Sequence, residues 1–356
     1  MSVARSHLWP GVPLALGSAV LFGASAPLSK LLMGSVDPWL LAGILYLGAG
    51  LGLALVHRGR AALGLDGVEA PLRRPDAPWL GAAILFGGLL GPLLLMLGLS
   101  WTSAASGSLL LNLEGLATMA IAWLVFRENV DRRLLLGAAA ILAGAVVLSW
   151  GGQGARLDLG GLLIAGACLC WGIDNNLTRR LSSADPVQIA MLKGLVAGTV
   201  NLGLALSLGA GLPSGGPIAA GAVVGFLGVG VSLVLFMLAL RHLRAARTGA
   251  YFSLAPFIGA ALSVVLFHEP VTTKLLVAGA LMGLGLWLHL AERHDHEHRH
   301  EALEHEHAHT HDEHHHHVHG PGDPLGEPHA HWHRHEPLRH GHPHYPDLHH
   351  RHGPEA

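Results

Sequence analysis

Phe22-Gly23-Ala24-Ser25-Ala26-Pro27-Leu28-Ser29-Lys30 has a counterpart in Trp171-Gly172-Ile173-Asp174-Asn175-Asn176-Leu177-Thr178-Arg179. In each, an aromatic-Gly pair lies inside an apolar run and a basic residue closes it. Further matches keep the same order. Asp37-Pro38 and Asp185-Pro186 each open the next apolar run, Phe126-Arg127-Glu128 and Phe267-His268-Glu269 each close the fourth run of their half, and Gly144 parallels Gly285. The chain is therefore written twice, each copy five apolar segments long.

Working outward, a bilayer core needs roughly 20 apolar residues per helix. Ten segments qualify: 13–33, 38–57, 79–100, 103–126, 134–150, 159–178, 186–208, 217–240, 247–267 and 274–291. The chain has 51% hydrophobic and 13% charged residues, about half the charge of an average soluble protein. Its 48 glycines suit closely packed membrane helices. Five is an odd number, so the second copy enters the bilayer from the opposite face. Such inverted repeats are the plan of many secondary transporters. The fold class expected is an all-α membrane protein of ten transmembrane helices in two inverted five-helix repeats, with a disordered tail. The divisions are 1–152, 153–291 and 292–356.

Basic residues orient the bundle. With the N-terminus inside, the inner loops hold Arg5, Arg58, Arg60, Arg73, Arg74, Arg127, Arg132, Arg133, Arg179, Arg180, Arg241, Arg244, Arg247 and Arg293. The outer side holds Arg156, Lys274 and Lys30. Positive charge stays in the cytoplasm, so both termini are expected there, in a bacterial-type inner (plasma) membrane. Arg5 and Ala24-Ser25-Ala26 imitate a cleavable leader, but the repeat claims that segment as a helix. A net charge of −2 gives no case for nucleic acid. Cys168 and Cys170, two apart in an apolar run, are neither a disulfide framework nor a redox motif.

The pattern resembles the drug/metabolite transporter superfamily, in particular its EamA-type members. The residues carrying it are Phe22-Gly23, Trp171-Gly172, Glu128, Glu269 and the Gly-rich runs Gly137 to Gly144 and Gly279 to Gly285. The resemblance implies the ten-helix fold and a cavity lined by helices one, three, four, six, eight and nine. It leaves the substrate open, because fold does not fix function.

Glu114 is the most unusual residue at membrane depth. A charge there costs at least about 2.5 kcal/mol, so it should face the protein interior or water. It is a candidate proton-coupling or cation-binding group, and Thr118, four residues on, shares its face. A protonated, hydrogen-bonded structural glutamic acid is the alternative. Ala255 stands at the matching position of the second half. Asp174 and Lys193 flank the turn at Asp185 at similar distances and are placed to pair, functionally or as a structural ion pair. Asn112, Asn175, Asn176 and Tyr251 complete the candidate binding and coupling set, with Cys170 one turn before Asp174. Lys30 is expected to snorkel to the interface.

Five of the 28 histidines (His7, His57, His242, His268, His289) precede Glu292; the rest follow it. His294, His296, His298, His300, His305, His307, His309, His311, His314, His315, His316, His317, His329, His331, His333 and His335 are candidate metal ligands. Neutral imidazole suits Ni, Co, Zn and Cu, and dispersed clusters suit several exchangeable sites rather than one structural centre. So polar a segment has too few apolar groups to offset chain entropy.

These features lead to an expectation of a secondary transporter exporting a divalent transition metal (nickel, cobalt or zinc), with the tail gathering ions at the inner mouth. Export of a small organic metabolite or amino acid, and a non-transporting metal sensor, are the alternatives. No nucleophile–base arrangement and no phosphate-binding loop occurs, so no enzyme and no required cofactor is expected. The expected partners are the lipid bilayer, a solute or metal ion, and a second copy of the chain as a homodimer.

Overall fold

The computed structural model describes residues 11–63, 72–126, 132–150, 158–178, 181, 184–290 and, in the tail, 297–299, 303–309, 329–335 and 339–341. Among the described residues the apolar part forms ten helices. They are α1 (Gly11–Leu32), α2 (Pro38–Ala62), α3 (Ala77–Ala83, Ile84–Leu90 and Gly91–Trp101 in series), α4 (Ala104–Leu110 and Leu113–Phe126), α5 (Arg132–Ser149), α6 (Leu159–Thr178), α7 (Pro186–Ser207), α8 (Gly215–Gly225 and Phe226–Val231, running on into Ser232–Phe252), α9 (Ala255–Phe267) and α10 (Thr273–Leu290). Seven of the spans are long and apolar enough to cross a membrane, and the stretches Ala255–Phe267 and Thr273–His289 are shorter.

The repeated Asp-Pro pairs work as helix starts. The Asp37 carboxylate accepts the N–H groups of Trp39 at 2.9 Å and Leu40 at 3.1 Å. The Asp185 carboxylate accepts that of Val187 at 2.8 Å. Pro follows each, at a position whose N–H a helix does not use. The packing repeats as well. α1 lies against α8 and α9, α6 lies against α3 and α4, α2 runs along α7, and α5 along α10. These pairings survive when each helix is exchanged for the one five places on, as an inverted repeat requires.

Both halves also widen at one place. In α3 the Gly91 N–H reaches Phe86, and in α8 the Ser232 N–H reaches Leu227, five residues back instead of four. Such wide turns occur mostly as single insertions in α-helices and frequently at functional sites.

Three features depart from the expected segments. The fourth segment is broken at Leu111-Asn112. The expected loop between the eighth and ninth segments is helical, from Ser232 to Phe252. Phe236 and Phe252 nevertheless meet edge to face with ring centroids 4.8 Å apart, whereas sixteen residues of straight helix would span about 24 Å. The segment therefore doubles back, and its last turns belong to the return through the bundle. In the tail, Leu303–His309 pairs antiparallel with His329–His335, and Glu297–Arg299 with Arg339–Gly341. Strands were not expected there, although alternating His-x-His has the period of two that a strand needs.

The two ends of the bundle differ. At the Lys30 end, Ala104–Leu110 of α4 is mostly buried and packs on α9 and α1. Towards the Arg60 end, Leu113–Phe126 packs along α6 and touches α5, with no extended contact to α1, α8 or α9 among the described residues. Of its described side chains, Ala122 alone is buried. Among the described residues α4 thus meets α1 and α9 at one end and stands apart from them at the other.

Candidate functional site

The break in α4 puts Glu114 in the first turn of Leu113–Phe126, not in mid-helix. Its N–H bonds to the Leu111 carbonyl at 3.1 Å. A helix N-terminus favours a carboxylate through the dipole of its free N–H groups. From α6, Asn175 Nδ2 donates to Glu114 Oε1 at 3.0 Å and to Thr118 Oγ1 at 3.1 Å. The Thr118 hydroxyl donates back to the Glu114 carbonyl at 2.9 Å. Glu114 and Thr118 are half-buried and Asn175 is exposed. This trio lies where α4 packs on α6 and stands apart from α1 and α9.

Asn176 ties the same two helices together, donating to the Thr118 carbonyl at 3.1 Å and the Gly172 carbonyl at 2.8 Å. Asp174 points the other way, towards α7 and α3. Lys193 Nζ donates to its Oδ2 and Thr178 Oγ1 to its Oδ1, the latter at 3.0 Å. Side-chain exposure is 7% for Asp174 and 13% for Lys193, so the pair is closed off from solvent. It stands against the wide turn of α3. A Cβ at Gly87 would overlap the Asp174 carboxylate and come within 2.7 Å of Lys193 Nζ. Glycine at 87 is what leaves room for the pair. The Gly87 carbonyl takes two donors, Tyr46 Oη at 2.7 Å and Trp171 Nε1 at 3.1 Å. Asn201 Nδ2 donates to the Gly88 carbonyl at 3.1 Å.

Of the residues singled out from sequence, Glu114, Thr118, Asn175, Asn176, Asp174 and Lys193 come together along α6. Cys170 is buried one turn away as a free thiol. Two lie elsewhere. Asn112 donates to the Leu109 carbonyl at 2.8 Å and faces Met282 Sδ on α10 at 3.8 Å. Tyr251 packs beside Ala15, Ala239 and Leu243 at the reversing end of α8. Tyr46, Gly87, Gly88 and Trp171 carry more of the site than their sequence context suggested. The paired small residues Gly87-Gly88 next to Gly91-Pro92 were the available signal.

Among the described residues no three His, Cys, Asp or Glu side chains are arranged to hold a metal ion. Of the tail histidines, His294, His296, His300, His311 and His314 to His317 lie outside the described residues.

The opposite end is tied shut. Lys30 does not snorkel: its Nζ donates to the Leu99 carbonyl and, at 3.1 Å, to that of Thr102, at the end of α3. α9 ends at His268 in a left-handed conformation with φ of 50°. Glu269 then reaches across to accept the Ala104 N–H at 2.8 Å and the Ala105 N–H at 3.1 Å, the first turn of α4. Asp158, ahead of α6, accepts the Thr102 hydroxyl at 2.9 Å. A cation on terminal carbonyls and a carboxylate on initial N–H groups both suit the helix dipoles.

Comparison with known proteins agrees with this architecture. Residues 9–150 and 158–291 each match the EamA-like transporter family. The chain is 30% identical over 298 residues to an uncharacterized transporter of Methanothermobacter thermautotrophicus, covering 79% of this chain and 86% of that protein. It is 23% identical over 283 residues to the uncharacterized transporter YyaM of Bacillus subtilis, covering 76% and 90%. A solved crystal structure of a protein superposes with a TM-score of 0.59 at 21% identity, over 78% of this chain and 94% of that one. This last likeness concerns the fold alone.

Proposed function

Because the chain belongs to the EamA-like transporter family, we propose that it is a secondary transporter exporting a small organic solute, with Glu114, Asn175 and Thr118 as the substrate site. The carrying observation is that, among the described residues, Asn175 is the one side-chain donor to Glu114, and that both sit where α4 stands apart from α9. An intramembrane carboxylate so placed marks a substrate or proton path. The arginine bias puts the Arg60 end and both termini in the cytoplasm of a plasma membrane. In that orientation Glu114 would be loaded from the cytoplasm, and protons returning through it would drive export.

The test is uptake into inside-out vesicles of labelled amines and amino acids, with and without a pH gradient. Glu114→Gln should abolish accumulation while leaving membrane levels of the protein unchanged. Full activity in Glu114→Gln would remove Glu114 from the mechanism.

One observation favours a second reading, export of nickel, cobalt or zinc: the concentration of histidine beyond Glu292. Here the tail would gather ions at the inner mouth. Deleting residues 292–356 separates the readings. Metal resistance falls under the second and solute export persists under the first. A second copy of the chain remains a proposed partner, testable by crosslinking in membranes.

A further inference from the structure

The described strands of the tail form a two-faced ribbon. Where Leu303–His309 pairs with His329–His335, His305 stands opposite His333, His307 opposite His331 and His309 opposite His329. Alternate residues of a strand share a face, so these six histidines fall on one face, with His335 opposite Leu303 at its end. The other face receives Glu304 opposite Arg334, Glu306 opposite Trp332 and Ala308 opposite Ala330. Repetitive sequence alone does not dictate this. A slip of one residue would keep the strands paired and set the histidines of each against residues of other kinds. The shorter pairing of Glu297–Arg299 with Arg339–Gly341 keeps the same register and sets His298 opposite His340. The ribbon has few apolar residues to bury, and a two-stranded hairpin is marginally stable in water by itself. Residues directly opposite have Cβ atoms about 4.5–5.5 Å apart, a span that two imidazoles can close on one ion about 2.0–2.1 Å from each nitrogen. Successive pairs on one face are about 7 Å apart, so each is a site of its own.

We propose that the tail ribbon is a ladder of two-histidine metal sites, His305 with His333, His307 with His331 and His309 with His329, each holding one divalent late transition-metal ion, and that His298 with His340 is a further rung. Neutral imidazole takes nickel, copper, cobalt or zinc, whereas calcium and magnesium take oxygen ligands. Two protein ligands with water completing the shell make an exchangeable site, in keeping with the absence of a three-ligand cluster among the described residues. Because each ion bridges the two strands, loading and strand pairing are one event. These sites lie in the tail and are independent of the solute that passes Glu114.

The test counts Ni²⁺ ions bound to the full-length protein in detergent by equilibrium dialysis, with a variant lacking residues 292–356 subtracting whatever the bundle binds. Two triple variants remove the same number of histidines. His305→Ala with His307→Ala and His309→Ala breaks all three rungs of the longer pairing. His309→Ala with His329→Ala and His335→Ala breaks one, since His309 faces His329 and His335 faces Leu303. The first should lose three ions and the second one. Equal losses would mean that the number of histidines sets binding and their register does not, which overturns the proposal. So would a wild type that binds no more Ni²⁺ than the truncated protein. Bridging is read separately by nitroxide labels at Ala308→Cys and Ala330→Cys, which face each other on the opposite side of the ribbon; Cys168 and Cys170 are buried. Zn²⁺ should broaden their spectrum and a chelator should reverse it. Labels indifferent to Zn²⁺ would refute the bridging of the strands.

Discussion

The crossing of α6 with α4 is polar, whereas its counterpart, the crossing of α1 with α9, is apolar. Both use a glycine to bring the helices together. A Cβ on Gly172 would meet Ala117 and lie 2.8 Å from the Thr118 nitrogen, and one on Gly23 would press on the backbone of Ala255. At the first crossing stand Glu114, Thr118, Asn175 and Asn176; at the second the repeat places Ala255, Ala26 and Pro27. The frame is duplicated and the chemistry is not. A duplicated frame serves rocking between two states, and a one-sided site keeps the number of charges at membrane depth low.

The largest test of this contrast moves the carboxylate. Glu114→Ala should reduce vesicle uptake to background, and adding Ala255→Glu in that background should not restore it, because no asparagine faces the new carboxylate. Next come the paired glycines. Gly23→Ala and Gly172→Ala should each lower the melting temperature in detergent, by about 1–3 kcal/mol of stability for an overpacked contact. Gly172→Ala should in addition impair uptake more than its partner. Asn175→Ala should weaken binding less than loss of Glu114 does, by about tenfold for one hydrogen bond to a charged group, read by calorimetry. The smallest effect is expected at the tied end. Glu269→Gln keeps one acceptor oxygen and should cost about 1 kcal/mol or less in thermal unfolding, with uptake retained.

Much of the frame was legible before any coordinates. Asp-Pro helix starts and ten apolar runs follow from local chemistry, and the odd repeat gave the inversion. What stayed hidden was the backbone inside the runs. A hydrogen bond to the fifth residue instead of the fourth leaves the apolar pattern intact, so the wide turns at Ile84–Leu90 and Phe226–Val231 leave no periodic trace. The interruption at Leu111-Asn112 is likewise flanked by leucines on both sides. Glu114 was identified by its oddity, yet its place at a helix start was not. Lys30 looked like a residue reaching for water, because its partners, the carbonyls at the end of α3, belong to a corner some seventy residues away. Tyr251 went astray for the same reason: the reversal within Ser232–Phe252 carries it to the first turns of α1.

The carboxylate that finishes the start of α4 comes from Glu269, in the other half of the chain. Neither copy of the duplicated unit is therefore self-sufficient. Expressed alone, the first five helices would carry a helix end with two amide groups lacking these acceptors, at about 1 kcal/mol each as for other lost helix caps. Co-expression of the separated halves should rescue what neither achieves singly, and the junction between them would then assemble as two subunits do.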